Sequence, residues 1–412
     1  MEKPMKISQK ARHAIFLGTL CSVSYLAVYI ARNIIGAVTP KMIEDGISFD
    51  YIGQVSAVYL ITYAIGQLIN GAIGDWIKAK YMVAFGLMSA GIANFVFSGL
   101  AGRTDLALVA YAWTGFSLSM IYGPITKVVA ESTELKYATR CSLGYTFASF
   151  FGTPAAGLLA TYLTWQATFR VSSIALITMA VVSFTFFTLF EHRGIVKYRE
   201  QAKASEEKPK KDYRGLLKRH IVKFALIAMI TGIIRTSLVQ VLSAYFCEHL
   251  GYSATKATAT LSVTSFIICF TTFIAVFVYE RLGRNMHLSP LIFFSFSALC
   301  FGVLYFVPQE NPILSIVIIV MAIMSSGASA TILYSVYCPS LRDTGLVSGI
   351  TGFLDFLSYL AAALASLAIP RIVGNMGWRN TLLIPLLMMI VGVTICAVSY
   401  VSIKKRERTL AE

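Results

Sequence analysis

Long apolar stretches recur along almost the whole 412-residue chain, and they constrain its fold more than any other feature. A helix needs about 20 consecutive apolar residues to cross the hydrocarbon core of a membrane. The chain is 57% hydrophobic and 13% charged, which is not the composition of a soluble domain around one core. The sequence therefore predicts an all-α membrane protein with twelve transmembrane helices, placed at 14–38, 51–76, 81–101, 106–131, 140–162, 168–190, 221–247, 254–280, 287–307, 312–338, 343–369 and 378–403.

Basic residues are concentrated at alternate ends of these stretches. The formal net charge is +15, and eleven of the Lys and Arg residues lie in the polar link from Arg193 to Lys223. Others precede the first stretch or follow the last, whereas every second loop is nearly free of them. This asymmetry is typical of cytoplasmic loops, so we expect both termini and the link to be cytoplasmic, in a bacterial inner membrane. The basic excess is explained by topology and does not indicate a nucleic-acid partner.

The N-terminus and the cysteines predict no processing and no metal centre. The first apolar run is too long for the core of a signal peptide, and it contains Arg32. The seven cysteines lie singly in apolar segments without a C-x-x-C pair. They are expected to behave as small buried hydrophobes, so we expect no disulfide framework, metal or cofactor.

Two arginines lie deep in apolar stretches. Arg32 is in the first stretch, and Arg235 is at the comparable place in the seventh. A guanidinium near the middle of a membrane helix costs about 2.5–3.5 kcal/mol on insertion scales, so it is retained where it faces protein, water or a ligand. The pair predicts a central site for an anion. The alternative is that each arginine pairs with a buried carboxylate.

The two arginines also mark an internal duplication. Acidic residues follow them at a nearly constant offset, with Asp75 after the second stretch and Glu280 after the eighth. Repeats of this kind build many secondary transporters. We therefore expect two pseudo-symmetric six-helix halves, 1–190 and 221–412, joined by a cytoplasmic basic linker at 191–220.

Several motifs resemble a known family. The G-x-x-x-D loop ending at Asp75 is similar to the signature loop of the major facilitator superfamily, although Trp76 replaces the usual basic residue. More narrowly, the chain resembles the organophosphate:phosphate antiporter family, which includes exchangers of glycerol 3-phosphate and hexose phosphates. The motifs that carry this resemblance are Tyr25-x-x-x-Tyr29-x-x-Arg32-Asn33, Pro40, Gly123-Pro124-Ile125-Thr126-Lys127, Gly152-Thr153-Pro154, and Arg235 followed by Tyr245.

The resemblance implies the major facilitator fold and a phosphate site formed by Arg32 and Arg235. The chain departs from the family pattern at three places. Gln67 stands where the family has a lysine, Asn33 follows the first arginine in place of the common lysine, and the fifth stretch lacks the expected histidine. The site thus keeps both arginines and loses auxiliary positive charge. A phosphonate or carboxylate is therefore less disfavoured than in the family.

Physical arguments support the same site residues. An arginine fork donates paired hydrogen bonds to two oxygens of a phosphate or carboxylate. Tyr25, Tyr29 and Arg32 are spaced by four and three residues, so they share one helix face. Tyrosines on such a face can hydrogen-bond a ligand while their rings exclude water. On other helices, the predicted substrate-binding residues are Tyr63, Gln67 and Tyr145, while the cluster of Tyr334, Tyr337 and Cys338 is interpreted as packing.

Four residues are predicted to act in coupling or gating. Asp355 is almost the only acidic residue deep in a predicted helix, so it either pairs with a cation such as Arg235 or carries a proton. Asp75 and Glu280 are expected to close the cytoplasmic side by pairing with basic residues or helix N-termini. Lys127 either reaches the cytoplasmic end of the cavity or extends to the membrane interface.

The pattern predicts a secondary active transporter of a small organic anion. The favoured activity is exchange of an organophosphate, such as a sugar or glycerol phosphate, for inorganic phosphate by alternating access. Two alternatives stay open: a proton-coupled transporter of a carboxylate or phosphonate, and a membrane sensor of sugar phosphates. No nucleophile–base pair, phosphate loop or metal-ligand cluster points to an enzyme. We expect a monomer whose partners are its anionic substrate and the lipid bilayer.

Overall fold

The computed structural model describes residues 9–74, 77–100, 104–196, 219–307, 311–341 and 347–411. Within these ranges every regular element is a helix. In the same part of the chain, eleven segments are long and apolar enough to cross a membrane, and we number them by the twelve predicted spans. Spans 1–4 are Gln9–Glu44, Phe49–Asn70, Ala79–Gly99 and Asp105–Val129, span 6 is Trp165–His192, and spans 7–12 are Ile221–His249, Ala254–Arg281, Leu288–Phe306, Pro312–Tyr337, Ile350–Thr381 and Leu383–Ser402.

The segment predicted as the fifth span consists of two helices, Leu135–Phe150 and Gly152–Tyr162, which we together call span 5. The break falls at Phe151. Pro154 lies in the first turn of the second helix, where a missing backbone N–H removes no intrahelical hydrogen bond. Span 4 is built in the same way, because its helix ends at Leu118 and restarts at Tyr122. Proline thus marks the restart in both spans.

In the described part of the second half, three segments are π-helical: Ile233–Leu238 and Tyr245–His249 in span 7, and Leu333–Tyr337 in span 10. A π turn contains an extra residue relative to the α-helix and shifts the direction of the side chains that follow it. Hydrophobic periodicity does not distinguish such a turn from ordinary α-helix, so the sequence did not predict these segments.

Contacts along the backbone divide the chain into two compact units. Unit 1 consists of Met1–Val38 and Ile61–Ser205, and unit 2 of Thr39–Leu60 and Glu206–Glu412. The segment Thr39–Leu60 belongs by sequence to the first half, yet it packs with the second. It contains the end of span 1 and the beginning of span 2.

Within each unit, small residues allow close helix packing. In unit 1, spans 3 and 6 pack along each other, and a Cβ atom on Gly91 would lie 3.0 Å from the backbone oxygen of Ser173. In unit 2, span 9 packs against spans 10 and 12, where Gly392 faces the ring of Phe294. In lipid the hydrophobic effect does not drive helices together, so the van der Waals contacts that small residues allow stabilise their association.

Large apolar side chains are exposed on the helices, among them Phe85, Val109, Phe273 and Val398. An exterior of this kind suits a hydrocarbon environment and would be a liability in water.

Three contacts hold the segment Thr39–Leu60 against span 11 within unit 2. Gly53 packs against the backbone of Ser366 and the ring of Pro370, so closely that a Cβ atom would not fit. The Arg371 Nε atom donates a hydrogen bond to Asp50 Oδ1 at 2.9 Å. The rings of Phe49 and Trp378 lie 5.8 Å apart. The beginning of span 2 is therefore held against span 11 by sterics, charge and ring packing.

Candidate functional site

Arg32 lies on the α-helical part of span 1 and is only 5% exposed. Its Cζ atom is 5.2 Å from the ring centre of Tyr29 and 5.1 Å from that of Tyr63. Tyr29 is one turn away on the same helix, and Tyr63 is a buried residue of span 2. A guanidinium over a tyrosine ring is attracted by the negative face of the ring, and more strongly where water is excluded. Two rings therefore orient Arg32.

A chain of tyrosines extends from this arginine. The rings of Tyr25 and Tyr29 are 5.0 Å apart, and those of Tyr25 and Tyr145 are 6.1 Å apart. Tyr122, which the sequence did not single out, lies 5.5 Å from Tyr25. The Tyr145 hydroxyl donates to Thr126 Oγ1 at 3.5 Å. The structure thus places the predicted residues Tyr29 and Tyr63 against Arg32. Tyr25 and Tyr145 are connected to Tyr29 through ring contacts.

The position of Tyr29 depends on a glycine. Gly152, the first residue of the second helix of span 5, lies directly against the Cβ and carbonyl of Tyr29. A Cβ atom at this position would meet the Tyr29 carbonyl carbon at 2.7 Å, so only glycine allows the approach. Span 5 therefore packs directly against the backbone of Tyr29 and helps to position its ring.

Gln67 lies one helical turn beyond Tyr63 in span 2 and is half-buried. The prediction that Gln67 binds substrate stays a prediction.

Lys127 is a half-buried residue of span 4. Its Nζ atom donates to the carbonyl oxygen of Gly74 at 3.1 Å. Gly74 follows the last turn of the span 2 helix, where carbonyl groups lack intrahelical partners and the helix dipole favours a cation. Lys127 therefore joins span 4 to the end of span 2. Asp75, predicted as a gate residue in the following loop, lies outside the described residues.

Glu191 is a residue of this region that the sequence did not single out. At the end of span 6, its two carboxylate oxygens accept from Lys78 at 2.7 Å and Lys80 at 2.5 Å. Both lysines are among the basic residues whose distribution predicted the topology. In the sequence, the feature that could have identified Glu191 is its position as an acidic residue at the end of a predicted helix in a chain with basic loops. The ion pairs connect the loop after span 2 and the beginning of span 3 to span 6.

Arg235 lies in the π-helical segment Ile233–Leu238 of span 7 and is exposed. Its Cζ atom is 5.8 Å from the ring centre of Tyr334, which lies in the π-helical segment of span 10. π turns are frequent at functional sites because they direct a side chain where an α-helix would not. Both partners of this cation–π contact are thus placed by irregular turns.

Asp355 and Tyr359 belong to the same cluster. Both interact electrostatically with the Tyr334 hydroxyl, as Arg235 does. Span 11 is positioned there because Gly232 of span 7 packs directly on Ser358, and because Ser237 donates to the Ala362 carbonyl at 2.5 Å. Arg235 and Asp355 thus both lie near Tyr334, and their predicted pairing stays a prediction.

The interpretation of the span 10 tyrosines as packing residues fits Tyr337 and does not fit Tyr334. Tyr337 stacks on Phe224 with ring centres 3.6 Å apart, whereas Tyr334 faces Arg235. The π turn between them explains the different directions.

Glu280 is exposed at the end of span 8 and pairs with Arg284 at 3.3 Å, one turn along the chain. This is a local contact of two exposed side chains. Its predicted role as a cytoplasmic gate group stays a prediction.

Among the described residues, no group of three or more His, Cys, Asp or Glu side chains is close enough to hold an ion. The chemistry of both clusters is that of an arginine combined with phenolic rings. This combination can orient an oxyanion and contribute hydrogen-bond donors to it.

Residues 21–363, most of the chain, match the Major Facilitator Superfamily. The chain belongs to this superfamily. The fold expected from the sequence is confirmed, and this major facilitator protein is a multi-pass integral membrane protein of a transporter family, not an enzyme.

Relatives of this major facilitator protein handle or sense phosphate esters, according to their names. It is 19% identical over 434 residues to the glycerol-3-phosphate transporter of Bacillus subtilis (strain 168), covering 97% of this chain and 94% of the relative. It is 28% identical over 92 residues to the membrane sensor protein UhpC of Escherichia coli (strain K12), covering 22% of this chain and 20% of the sensor. In that match the chain spans about a fifth of the sensor's length. A probable hexose phosphate transport protein of Chlamydia trachomatis is 26% identical over 121 residues, covering 29% of this chain and 25% of the relative. The resemblance inferred from the motifs is confirmed.

Solved structures agree with the fold. A bacterial homologue of the human lysosomal transporter Spinster, inward-facing and occupied, superposes with a TM-score of 0.77 at 13% identity, covering 95% of this chain and 97% of that one. A D-xylose–proton symporter gives a TM-score of 0.70 at 12% identity, covering 93% and 96%. At these identities the likeness concerns the fold alone.

Proposed function

We propose that the protein is a secondary active transporter that exchanges an organophosphate for inorganic phosphate by alternating access. The observation that carries this proposal is the repeated arginine. Each sequence half places one arginine beside tyrosine rings within membrane-spanning helices. The relatives named as glycerol-3-phosphate and hexose phosphate transporters support a phosphate ester as substrate.

In the proposed cycle, Arg32 and Arg235 both contact the bound anion. Paired N–H donors of a guanidinium match two phosphate oxygens, and such charge-assisted bonds are about twice as strong as neutral ones. Bound anion neutralises the two arginines, and neutralisation permits the conformational change that carries the anion across. The tyrosines around Arg32 exclude water and supply hydroxyl groups to the polar part of the substrate. Tyr334 serves Arg235 in the same way.

The decisive experiment is counterflow of labelled inorganic phosphate in proteoliposomes containing purified protein. We expect exchange by the wild-type protein and loss of most exchange in Arg32→Lys and Arg235→Lys, because a lysine cannot reproduce the bidentate fork. Arg170→Lys is the matched control, since Arg170 lies in span 6, where its Nε atom donates to Ser98. Normal exchange by both arginine variants would show that neither Arg32 nor Arg235 binds the transported anion.

A proton-coupled transporter of a carboxylate or phosphonate is the second candidate. It is supported by Asp355, an acidic residue of span 11 that shares a cluster with Arg235 and Tyr334. For this function, uptake would depend on a pH gradient, would be insensitive to phosphate and would be lost in Asp355→Asn. Phosphate exchange without a pH gradient excludes it.

A membrane sensor is the third reading, supported by the relative named as a sensor. A sensor would bind phosphate esters without counterflow, so the same vesicles distinguish it from a transporter. We further propose a monomer in a bacterial inner membrane with both termini in the cytoplasm, supported by the distribution of Lys and Arg between the loops.

A further inference from the structure

Unit 2 contains an apolar cavity of about 310 Å³ within its membrane-spanning helices. Its walls come from spans 7, 10, 11 and 12. The lining side chains are almost entirely aliphatic, and Tyr245, Trp378 and Thr381 are the ones that carry polar atoms. The cavity is of the size that accommodates small organic ligands, for which the usual range is about 300–1,000 Å³.

Such a space requires an occupant. Protein interiors are packed as densely as organic crystals, and an apolar void deprives its lining atoms of dispersion contacts. Water does not fill it well, because a bound water needs two to four polar partners and cavities lined by aliphatic groups stay dry. The chemistry of the walls therefore selects a hydrocarbon.

The surrounding bilayer supplies that hydrocarbon. Two wall residues one helical turn apart, Leu364 and Ala368, are exposed, and Leu364 is 58% exposed. Both lie in the middle of span 11, at the depth of the acyl chains. They mark an apolar opening in the wall of the cavity.

One end of the cavity is suited to a phospholipid headgroup. Trp378 lines this end, and its Nε1 atom donates to Glu248 at 2.7 Å. The next residue, Arg379, is exposed at the junction of spans 11 and 12, with Nε directed to the Tyr305 carbonyl at 3.3 Å. Tryptophan and arginine at the end of a span are typical of the level of the lipid headgroups. Arg379 supplies positive charge where a phosphate would lie.

We propose that an acyl chain of a membrane phospholipid occupies this cavity, with the lipid phosphate beside Arg379. The occupant packs directly behind Arg235, because Ile233, Ile234 and Leu238 line the cavity and belong to the same π-helical segment as that arginine. The lipid is thus a structural component of the wall that positions Arg235. The proposal concerns lipid binding and does not depend on which anion is transported.

The four tryptophans of the chain provide a direct test by fluorescence quenching. Trp378 is 8% exposed and lines the cavity, Trp165 is 3% exposed and does not line it, and Trp113 is 49% exposed on span 4. Variants that each keep one of these three, with the remaining tryptophans changed to phenylalanine, are reconstituted in vesicles of phospholipid whose acyl chains are brominated close to the headgroup, the level at which we place Trp378. We expect Trp378 to be quenched much more strongly than Trp165, which is also buried and lies at the end of a span, while Trp113 reports the quenching of an exposed ring.

Filling the cavity should abolish the effect. Ala365→Phe adds a ring at the wall and should reduce quenching of Trp378 to the level of Trp165. Ala175→Phe is the matched control, because Ala175 is an exposed alanine of span 6 that does not line the cavity. Quenching of Trp378 no greater than that of Trp165, or unchanged in Ala365→Phe, overturns the proposal. Quenching by a brominated free fatty acid without quenching by the brominated phospholipid overturns the assignment to a phospholipid.

A second measurement keeps all tryptophans and so does not depend on the folding of multiple variants. Native mass spectrometry of protein released from phospholipid nanodiscs should show one tightly bound phospholipid fewer in Ala365→Phe than in the wild type and in Ala175→Phe. Equal phospholipid occupancy in all three proteins contradicts the proposal.

Discussion

Arg32 and Arg235 illustrate at the residue scale how one residue type is held in two ways. Arg32 is buried on a regular helix between the rings of Tyr29 and Tyr63. Arg235 is exposed on a π turn beside Tyr334, in a cluster that also contains Asp355. Two rings orient the first arginine. In the proposed function, an anion that binds the second arginine competes with its acidic neighbour.

Replacing Tyr63 tests the role of the rings. We expect Tyr63→Leu to weaken anion binding because Arg32 loses one of its two ring contacts. A cation–π contact contributes about 0.5–2 kcal/mol, which corresponds to roughly a twofold to thirtyfold change in the dissociation constant. Tyr63→Phe keeps the ring and should bind nearly as tightly as the wild type. The measurement is the thermal shift of purified protein titrated with inorganic phosphate. Equal weakening by both substitutions would assign the effect to the hydroxyl group instead.

His287 provides a pH-dependent prediction. It precedes span 9, its Nδ1 atom lies 3.3 Å from Lys223 Nζ, and its ring is 5.5 Å from that of His220. Burial, then the charge of Lys223 and then His220 lower the pKa of His287 to about 4 from its ordinary value of 6.5. The folded protein keeps His287 neutral, whereas the unfolded chain takes up a proton below pH 6.5. Stability should therefore be complete above that pH and decline as the pH falls towards about 4.

The measurement is the midpoint of thermal unfolding of detergent-solubilised protein between neutral pH and the lowest pH at which it stays soluble. His287→Gln should lose less stability than the wild type on acidification, because glutamine does not titrate. His192→Gln, an exposed histidine at the end of span 6, is the control and should behave as the wild type does. Parallel curves for wild type and His287→Gln would exclude His287 as the titrating group.

At the scale of elements, close approaches between helices decide which side chains meet. Gly152 places span 5 against the backbone of Tyr29, and Gly232 places span 7 on Ser358. The first approach supports the tyrosines around Arg32, and the second brings Asp355 into the cluster of Arg235. In both cases a residue without a side chain positions residues whose side chains carry the chemistry.

Gly152→Ala tests this dependence. The new methyl group would overlap the Tyr29 carbonyl, so spans 1 and 5 must separate. Overpacking of this kind costs about 1–3 kcal/mol. We expect a lower midpoint of thermal unfolding together with weaker phosphate-induced stabilisation. Gly123→Ala is the control, since a Cβ atom there meets nothing within 4 Å. An unchanged midpoint in Gly152→Ala would show that spans 1 and 5 can separate without loss of stability.

At the scale of the whole molecule, the division into units does not follow the duplication. Thr39–Leu60 comes from the first sequence half and packs in unit 2. The Asp50–Arg371 ion pair joins residues 321 positions apart and is exposed, with side-chain exposures of 41% and 61%. An exposed pair contributes only about 0–1 kcal/mol, so it can bias a conformational equilibrium without blocking it. Alternating access, as proposed, requires contacts that open in each cycle.

Charge reversal tests whether this contact opens. Asp50→Arg faces Arg371 with a like charge and should increase alkylation of a cysteine introduced by Ser56→Cys, a buried site one turn beyond Gly53. The loss of 0–1 kcal/mol corresponds to an increase of up to about fivefold in the labelling rate. The double variant Asp50→Arg, Arg371→Asp should restore the slow rate. The chain without Ser56→Cys gives the background from the native cysteines. No recovery in the double variant would show that Asp50 acts through another partner.

The sequence by itself determined the class of protein, the order of its apolar spans and the positions of its principal charged residues. Apolar length and buried charge are local properties: a stretch of 20 apolar residues must be helical in lipid, and a buried arginine is costly wherever the neighbours lie. Arg32, Tyr25 and Tyr29 were predicted together because they share a helix face.

Only the tertiary structure decided which distant residues meet. The contact between Arg235 and Tyr334 depends on two π turns. The packing of both Tyr29 and Tyr145 against Tyr25 depends on the break of span 5 at Phe151. Other ion pairs join residues more than 100 positions apart. Glu191 pairs with Lys78 and Lys80, and Asp50 pairs with Arg371. Helical periodicity specifies the face on which a side chain lies, but the approach of two helices is set by the small residues between them, and that is a property of the packed pair.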